Sequence, residues 1–200
     1  MFAPALLTMS TVVIPLVLSS PTRDCQFGRV GDPAADERAL ARFEVTVNDY
    51  VDLHRRLARA WPPMWFADFE QMESVAAEFR AVLRQARPQA AESSFFTPEV
   101  AGLLRFRLAR ALREQNVNLE AMTLEFEEEA GELHWWTPVV NHAWPGGRSG
   151  TYWPVFDALP PLPLELEYRL AGRSLVLLDV NANMVLDSLE LALPAVATAR

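Results

Sequence analysis

Five side chains from Asp179 onward fall where a calcium loop places its ligands. Counted from Asp179 as position 1, Asn181, Asn183, Asp187 and Glu190 stand at positions 3, 5, 9 and 12. Carboxylate and amide oxygens are what calcium takes, but such a loop turns sharply through glycine at position 6, and Met184 stands there. The preceding Ser174–Leu178 run also reads as a strand, where that loop follows a helix. His134 and His142, with Glu132 nearby, are the second set. They can ligate a metal or serve a hydrolase as acid and base, although their spacing matches no zinc motif. A third set is aromatic: Trp135, Trp136, Trp144, Tyr152 and Trp153, followed by Phe156. Flat rings of this kind form sugar or peptide platforms, or else fill a seam between helices and sheet. His54 lies in an apolar seam and reads as a hydrogen-bonded core residue. No catalytic, cofactor-binding or metal-ligating role is assigned to any residue on these patterns.

The absences narrow the chemistry. All 18 basic residues are arginine. Without lysine there is no phosphate-loop lysine, Schiff base or pyridoxal anchor, so the glycines of Gly146 to Gly150 are not a Walker loop. No GxGxxG, GxSxG or HExxH occurs. The formal net charge of −8 repels phosphate backbones and argues against a nucleic-acid partner. One cysteine, Cys25, can form no internal disulfide and no multi-cysteine metal site.

The elements that must position these groups follow from periodicity. Asp32-Pro33 opens a helix as cap and first residue, and Leu40, Phe43, Val47, Tyr50, His54 and Leu57 recur on one face. A second helix spans 68–87, with Phe69, Met72, Val75, Ala76, Phe79, Val82 and Leu83 as its stripe. A third starts at Thr97-Pro98-Glu99 and buries Val100, Leu104, Leu108, Ala111 and Leu112, with Arg105, Arg110 and Arg113 on the wet side. A short helix is expected over 118–130, its acidic run a solvated face. Thr137–Asn141 reads as a strand and 154–159 as a single helical turn. Three Leu- and Val-rich runs, 164–170, 174–180 and 184–189, are separated by Ala171-Gly172-Arg173 and Asn181-Ala182-Asn183. Both linkers hold residues that tolerate positive φ, which indicates an antiparallel meander. Asp179 and Asp187 are expected to flank the second turn, on a sheet covered on one side and partly packed on the other. The fold class is therefore α+β, with three or four N-terminal helices followed by a small antiparallel β-meander.

Residues 1–22 carry no charged side chain, and Phe2 to Leu18 is mostly apolar. Val17 and Ser19 suit a signal-peptidase site, so residues 1–19 are read as a signal sequence; an uncleaved anchor over 2–18 is the alternative. Residues 20–31 then form a linker, 32–193 a single domain with a helical part 32–130 and a strand-and-loop part 131–193, and 194–200 a tail.

The Phe96-Thr97-Pro98-Glu99-Val100 helix start, Val140-Asn141, Trp144-Pro145, the segment from Ala158 to Pro163 and above all Leu166 to Leu189 resemble an uncharacterised family of bacterial exported proteins with no assigned activity. The resemblance covers roughly residues 96–191 and implies export and the same helices-then-meander plan. The leading expectation is an exported, periplasmic or extracellular, non-catalytic binding or interaction module with a protein or glycan partner, no cofactor, and membrane contact only through its N-terminal segment. The alternatives are a cell-envelope hydrolase or other enzyme using His134 or His142 with nearby carboxylates, and a calcium-stabilised module over 179–190.

Overall fold

The structure, a computed structural model, describes residues 32–60, 69–90, 94–117, 136–145 and 154–194. The expected signal sequence and linker, the helix over 118–130, the Gly146–Gly150 loop and the end of the tail lie outside them.

Helix α1 (Pro33–Ala58) begins where its cap predicts: Asp32 Oδ1 accepts the Ala34 N–H at 3.1 Å and Pro33 occupies the first turn. Its buried face is Ala39, Phe43, Val47, Tyr50, Val51 and His54, three and four residues apart. Helix α2 (Phe69–Ala86) buries Ala76, Phe79 and Leu83. Met72, expected in that stripe, is instead 40% exposed. Helix α3 (Pro98–Glu114) buries Val100, Leu104, Leu108, Ala111 and Leu112 as expected, and Ala101, Leu103 and Ala109 as well. It stops where Asn116 turns to φ 51°, which lets Val117 N–H close on Leu112 O at 2.9 Å. Arg110 and Arg113 are exposed, but Arg105 is half-buried, its Nη2 donating to Glu190 O at 2.8 Å.

A single 3₁₀ turn (Pro154–Ala158) precedes the sheet. Strands β1 (Leu166–Ala171), β2 (Ser174–Asp179) and β3 (Met184–Leu189) pair antiparallel in chain order. Gly172, at φ 54°, closes the first hairpin, and Asn183, at φ 46°, ends the second turn. In β2–β3 the register passes from Leu177 opposite Asp187 to Leu178 opposite Val185, so Leu186 is the extra residue of a bulge.

Cross-strand pairing puts Leu175, Leu177 and Asp179 on one face with Leu189, Asp187 and Met184. This face meets the helices. The other face carries Val176, Leu178, Arg169 and Val185, and these too are buried. The sheet is thus packed on both sides, which explains why β2 reads as a near-continuous apolar run rather than an alternation.

The strand expected over Thr137–Asn141 does not form. Pro138 has no N–H to give, and Asn141 at φ 66° breaks the extended run. The chain turns there, with His142 N–H bonded to Val139 O, and meets β3 only from Asn141 to Trp144. Asn141 N–H donates to Val185 O, Val185 N–H to His142 O, and Trp144 N–H to Asn183 O. Helices, sheet and this segment share one hydrophobic core, in which Phe43 stacks on Phe96 at 6.3 Å.

Candidate functional site

Tyr50 and His54 sit four residues apart on α1, so both side chains leave the same face. Asp179 is the last residue of β2 and points from the helix-facing side of the sheet. These three meet in the core, with Tyr50 4%, His54 1% and Asp179 0% exposed. Tyr50 OH donates to Asp179 Oδ2 at 2.5 Å, and His54 Nδ1 lies 2.6 Å from the same oxygen. Asp179 Oδ1 accepts the Ala182 N–H at 2.8 Å, closing the β2–β3 turn on its own carboxylate. A buried carboxylate costs free energy unless it is paired and hydrogen-bonded, and this one has three donors.

The second ring nitrogen is occupied as well: Asn181 Nδ2 stands 3.2 Å from His54 Nε2. The Phe79 ring of α2 lies edge-on to the imidazole, centroids 5.0 Å apart. Burial pushes the Tyr50 hydroxyl well above its ordinary value, and the charge and hydrogen bond of Asp179 push it further against the opposing pull of Arg87.

Around this cluster the same turn is tied to other elements. Arg80 of α2 donates through Nη1 to Ala182 O at 2.8 Å and to Asn183 O at 3.2 Å. Asn183 Nδ2 donates to Trp144 O at 3.0 Å. Arg55 forms a two-pronged bond to Glu165, at 2.6 and 3.1 Å. The Glu165 carboxyl, pulled upward by burial, is held below its ordinary value by the bond from Arg55.

Arg87 lies over the Tyr50 ring at 4.9 Å and the Phe95 ring at 5.6 Å. Its Nη1 is buried with no hydrogen-bond partner among the described residues. Burial lowers its pKa, and Tyr50, Asp179 and Asp187 oppose that loss.

Asp187, 0% exposed, does separate work. Its Oδ2 accepts both the Phe95 and the Phe96 N–H at 2.8 Å, and its Oδ1 accepts the Ser188 N–H at 2.8 Å. The carboxylate thereby fixes the chain just before α3 to the sheet. Asp179 flanks the turn as its sequence context suggests, but it is fully buried and shared with α1, whereas Asp187 is a buried anchor for the lead into α3.

The five residues with calcium-loop spacing are spread over different tasks. Asp179 holds α1, Asp187 holds the lead into α3, Asn181 meets His54, and Asn183 meets Trp144 O. Glu190 is exposed, with its backbone oxygen taken by Arg105. Met184, at the sixth position, pairs with Asp179 as a strand residue. Among the described residues no three or more His, Cys, Asp or Glu gather to hold a metal ion. His142 is exposed, its Nδ1 3.2 Å from Val140 O; His134 and Glu132 lie outside the described residues. Trp144 is 1% exposed and Trp136 half-buried against it, rings edge-on at 5.3 Å, while the Arg169 guanidinium lies 5.7 Å from the Trp144 ring. These two tryptophans are core material; Trp135, Tyr152 and Trp153 lie outside the described residues.

Sequence reasoning placed His54 in the core but missed its partners Tyr50 and Asp179 and the flanking Arg80 and Arg87. The available signal was a tyrosine and a histidine four apart within an apolar stripe, two polar groups that need a shared buried acceptor.

Chemically, Asp179 on Nδ1 with Nε2 facing away is the orientation by which a carboxylate readies a histidine as general base. That use also needs a nucleophile or substrate at Nε2, and an amide donor stands there instead. Among the described residues no serine, threonine or cysteine side chain is hydrogen-bonded to His54. No family model, curated protein or solved structure matches the chain.

Proposed function

We propose that this chain is a non-catalytic binding or interaction module, exported from the cell as its apolar N-terminal sequence and its family resemblance suggest, in which the Tyr50–Asp179–His54 cluster is a structural clasp. One observation carries the reading: an imidazole only 1% exposed has its two nitrogens taken up by Asp179 and Asn181. A general base needs one nitrogen within reach of the proton it removes. The clasp fastens α1 to the far end of the hairpin, and Leu164, 97% exposed, and Val180, 40% exposed, stand at that same end. They flank Glu165, whose carbonyl accepts the Val180 N–H. Apolar side chains displayed on a clamped frame suit contact with a partner better than turnover.

The test has two arms. The purified protein is assayed against panels of esters, phosphoesters, glycosides and peptides, and hydrolysis at the buffer rate is expected. Turnover that disappears in His54→Ala or His142→Ala overturns the reading in favour of an envelope hydrolase. In the second arm a photo-crosslinking residue is placed at position 164 and, as control, at the exposed Arg38 on α1. A discrete adduct at 164 alone is expected in the native envelope; no adduct, or equal adducts at both, contradicts an interaction role for this end of the molecule.

A further inference from the structure

The turn 180–183 is exposed at Val180 and Asn181 but is pinned elsewhere. Its carbonyls at Ala182 and Asn183 hold Arg80, its Ala182 N–H bonds Asp179, and Asn183 bonds Trp144 O. The Asn181 side chain has a single tie, to His54 Nε2. The polarity of that contact follows from its neighbours. Asp179 is an acceptor, already served by Tyr50 and the Ala182 N–H, so Nδ1 carries the proton facing it. An amide nitrogen only donates, so with Asn181 Nδ2 turned to the ring Nε2 is the accepting nitrogen of this contact.

We propose that His54 and Asn181 form a proton-linked latch between the buried clasp and the exposed turn. A proton that reaches the Nε2 lone pair when the exposed Asn181 amide swings aside makes that nitrogen a donor. Two donors then face each other, and the Asn181 amide must rotate its oxygen inward or swing out into water. No covalent bond other than the new N–H forms or breaks. The pinned carbonyls confine the response to one exposed side chain beside Val180, so the surface near Leu164 and Val180 changes with acidity while the fold stays in place.

The charges facing the ring come from every element around it. From α1 there are Tyr50 and Arg55, and from the end of β2 there is Asp179. Glu165 lies before β1, and its carboxyl senses His54. Arg80 of α2 sits on the turn carbonyls, and Arg87, just past α2, acts on Asp179 under the influence of Asp187 on β3.

The experiment is nuclear magnetic resonance of the full ¹⁵N-labelled chain, titrated from about pH 8 to about pH 5.5, the range in which histidines exchange protons. As His54 Nε2 gains its proton, the Asn181 side-chain amide resonances should move in step with it, while those of Asn183 stay still. Asn181→Asp, at an exposed position, gives each ring nitrogen a carboxylate; its Tm should exceed the parent's by a few degrees at the acid end and not at pH 8. Asn181 resonances that stay fixed while His54 takes up its proton overturn the latch. So does a His54 that remains neutral until the fold is lost, or an Asn181→Asp protein with no gain in acid.

Discussion

Asp179 sits at 0% exposure with three donors on its two oxygens, and what each is worth follows from what its loss leaves behind. Removing Tyr50 OH takes one charge-assisted bond from a carboxylate that keeps two others, so Tyr50→Phe should cost about 1.5–3 kcal/mol. Asp179→Ala strands His54, the Tyr50 hydroxyl and the Ala182 N–H together, three buried donors at about 1–3 kcal/mol each, and should cost more than Tyr50→Phe. Denaturant titration of both variants checks the order; a Tyr50→Phe loss larger than that of Asp179→Ala would contradict it. Two of the three residues of this cluster were legible in the sequence. Tyr50 and His54 fall on the apolar stripe of α1, so their burial could be read from spacing. Asp179 could not be assigned to them, because 125 residues separate it from His54 and nothing local encodes a tertiary pairing. Its neighbours at Asn181, Asn183, Asp187 and Glu190 suggested a metal instead, since one spacing of oxygen donors serves a turn and a calcium loop equally well.

The elements were more legible than the site because their signals are local. Asp32-Pro33 and Thr97-Pro98 mark helix starts through capping and fixed φ, and Gly172 and Asn183 mark turns through tolerance of positive φ. The hairpin at Gly172 gives a direct check. A β-branched residue at φ 54° meets the steric cost of the left-handed region, so Gly172→Val should destabilise by about 1–2 kcal/mol. An unchanged Tm would contradict the observed turn. Thr137–Asn141 misled for a matching reason: its β-branched residues favour a strand, but Pro138 and the left-handed Asn141 leave only the stretch up to Trp144 to lie against β3. The sheet's coverage was misjudged too. Leu and Val on both faces of β2 report burial on both sides, and which groups provide that burial depends on tertiary contacts such as Trp144 over Arg169.

At the scale of the whole molecule, the order of helices then meander was readable from the change of hydrophobic period along the chain, while the tie between the two halves was not. That tie governs the response to alkali. Burial first, then Asp179, raises the Tyr50 hydroxyl, and burial raises Tyr168, whose OH bonds Pro160 O. Both stay protonated in the folded protein at a pH where the unfolded chain ionises. Their contribution to stability is therefore complete below about pH 10, the ordinary tyrosine value, and is lost as pH rises from there through the folded values. Tyrosinate absorbance assigned with Tyr50→Phe and Tyr168→Phe should appear together with loss of near-ultraviolet circular dichroism; ionisation of either residue in the intact fold would contradict this. The measurement that bears most directly on the clasp is a double-mutant cycle between His54 and Asp179, using His54→Ala, Asp179→Ala and the pair, read as unfolding free energy in denaturant. A structural clasp predicts a coupling of about 1–3 kcal/mol favouring the folded state, so that the double variant loses clearly less than the sum of the two single losses. Additive losses with no coupling would contradict the account, because α1 and the hairpin would then be held together by something other than this pair.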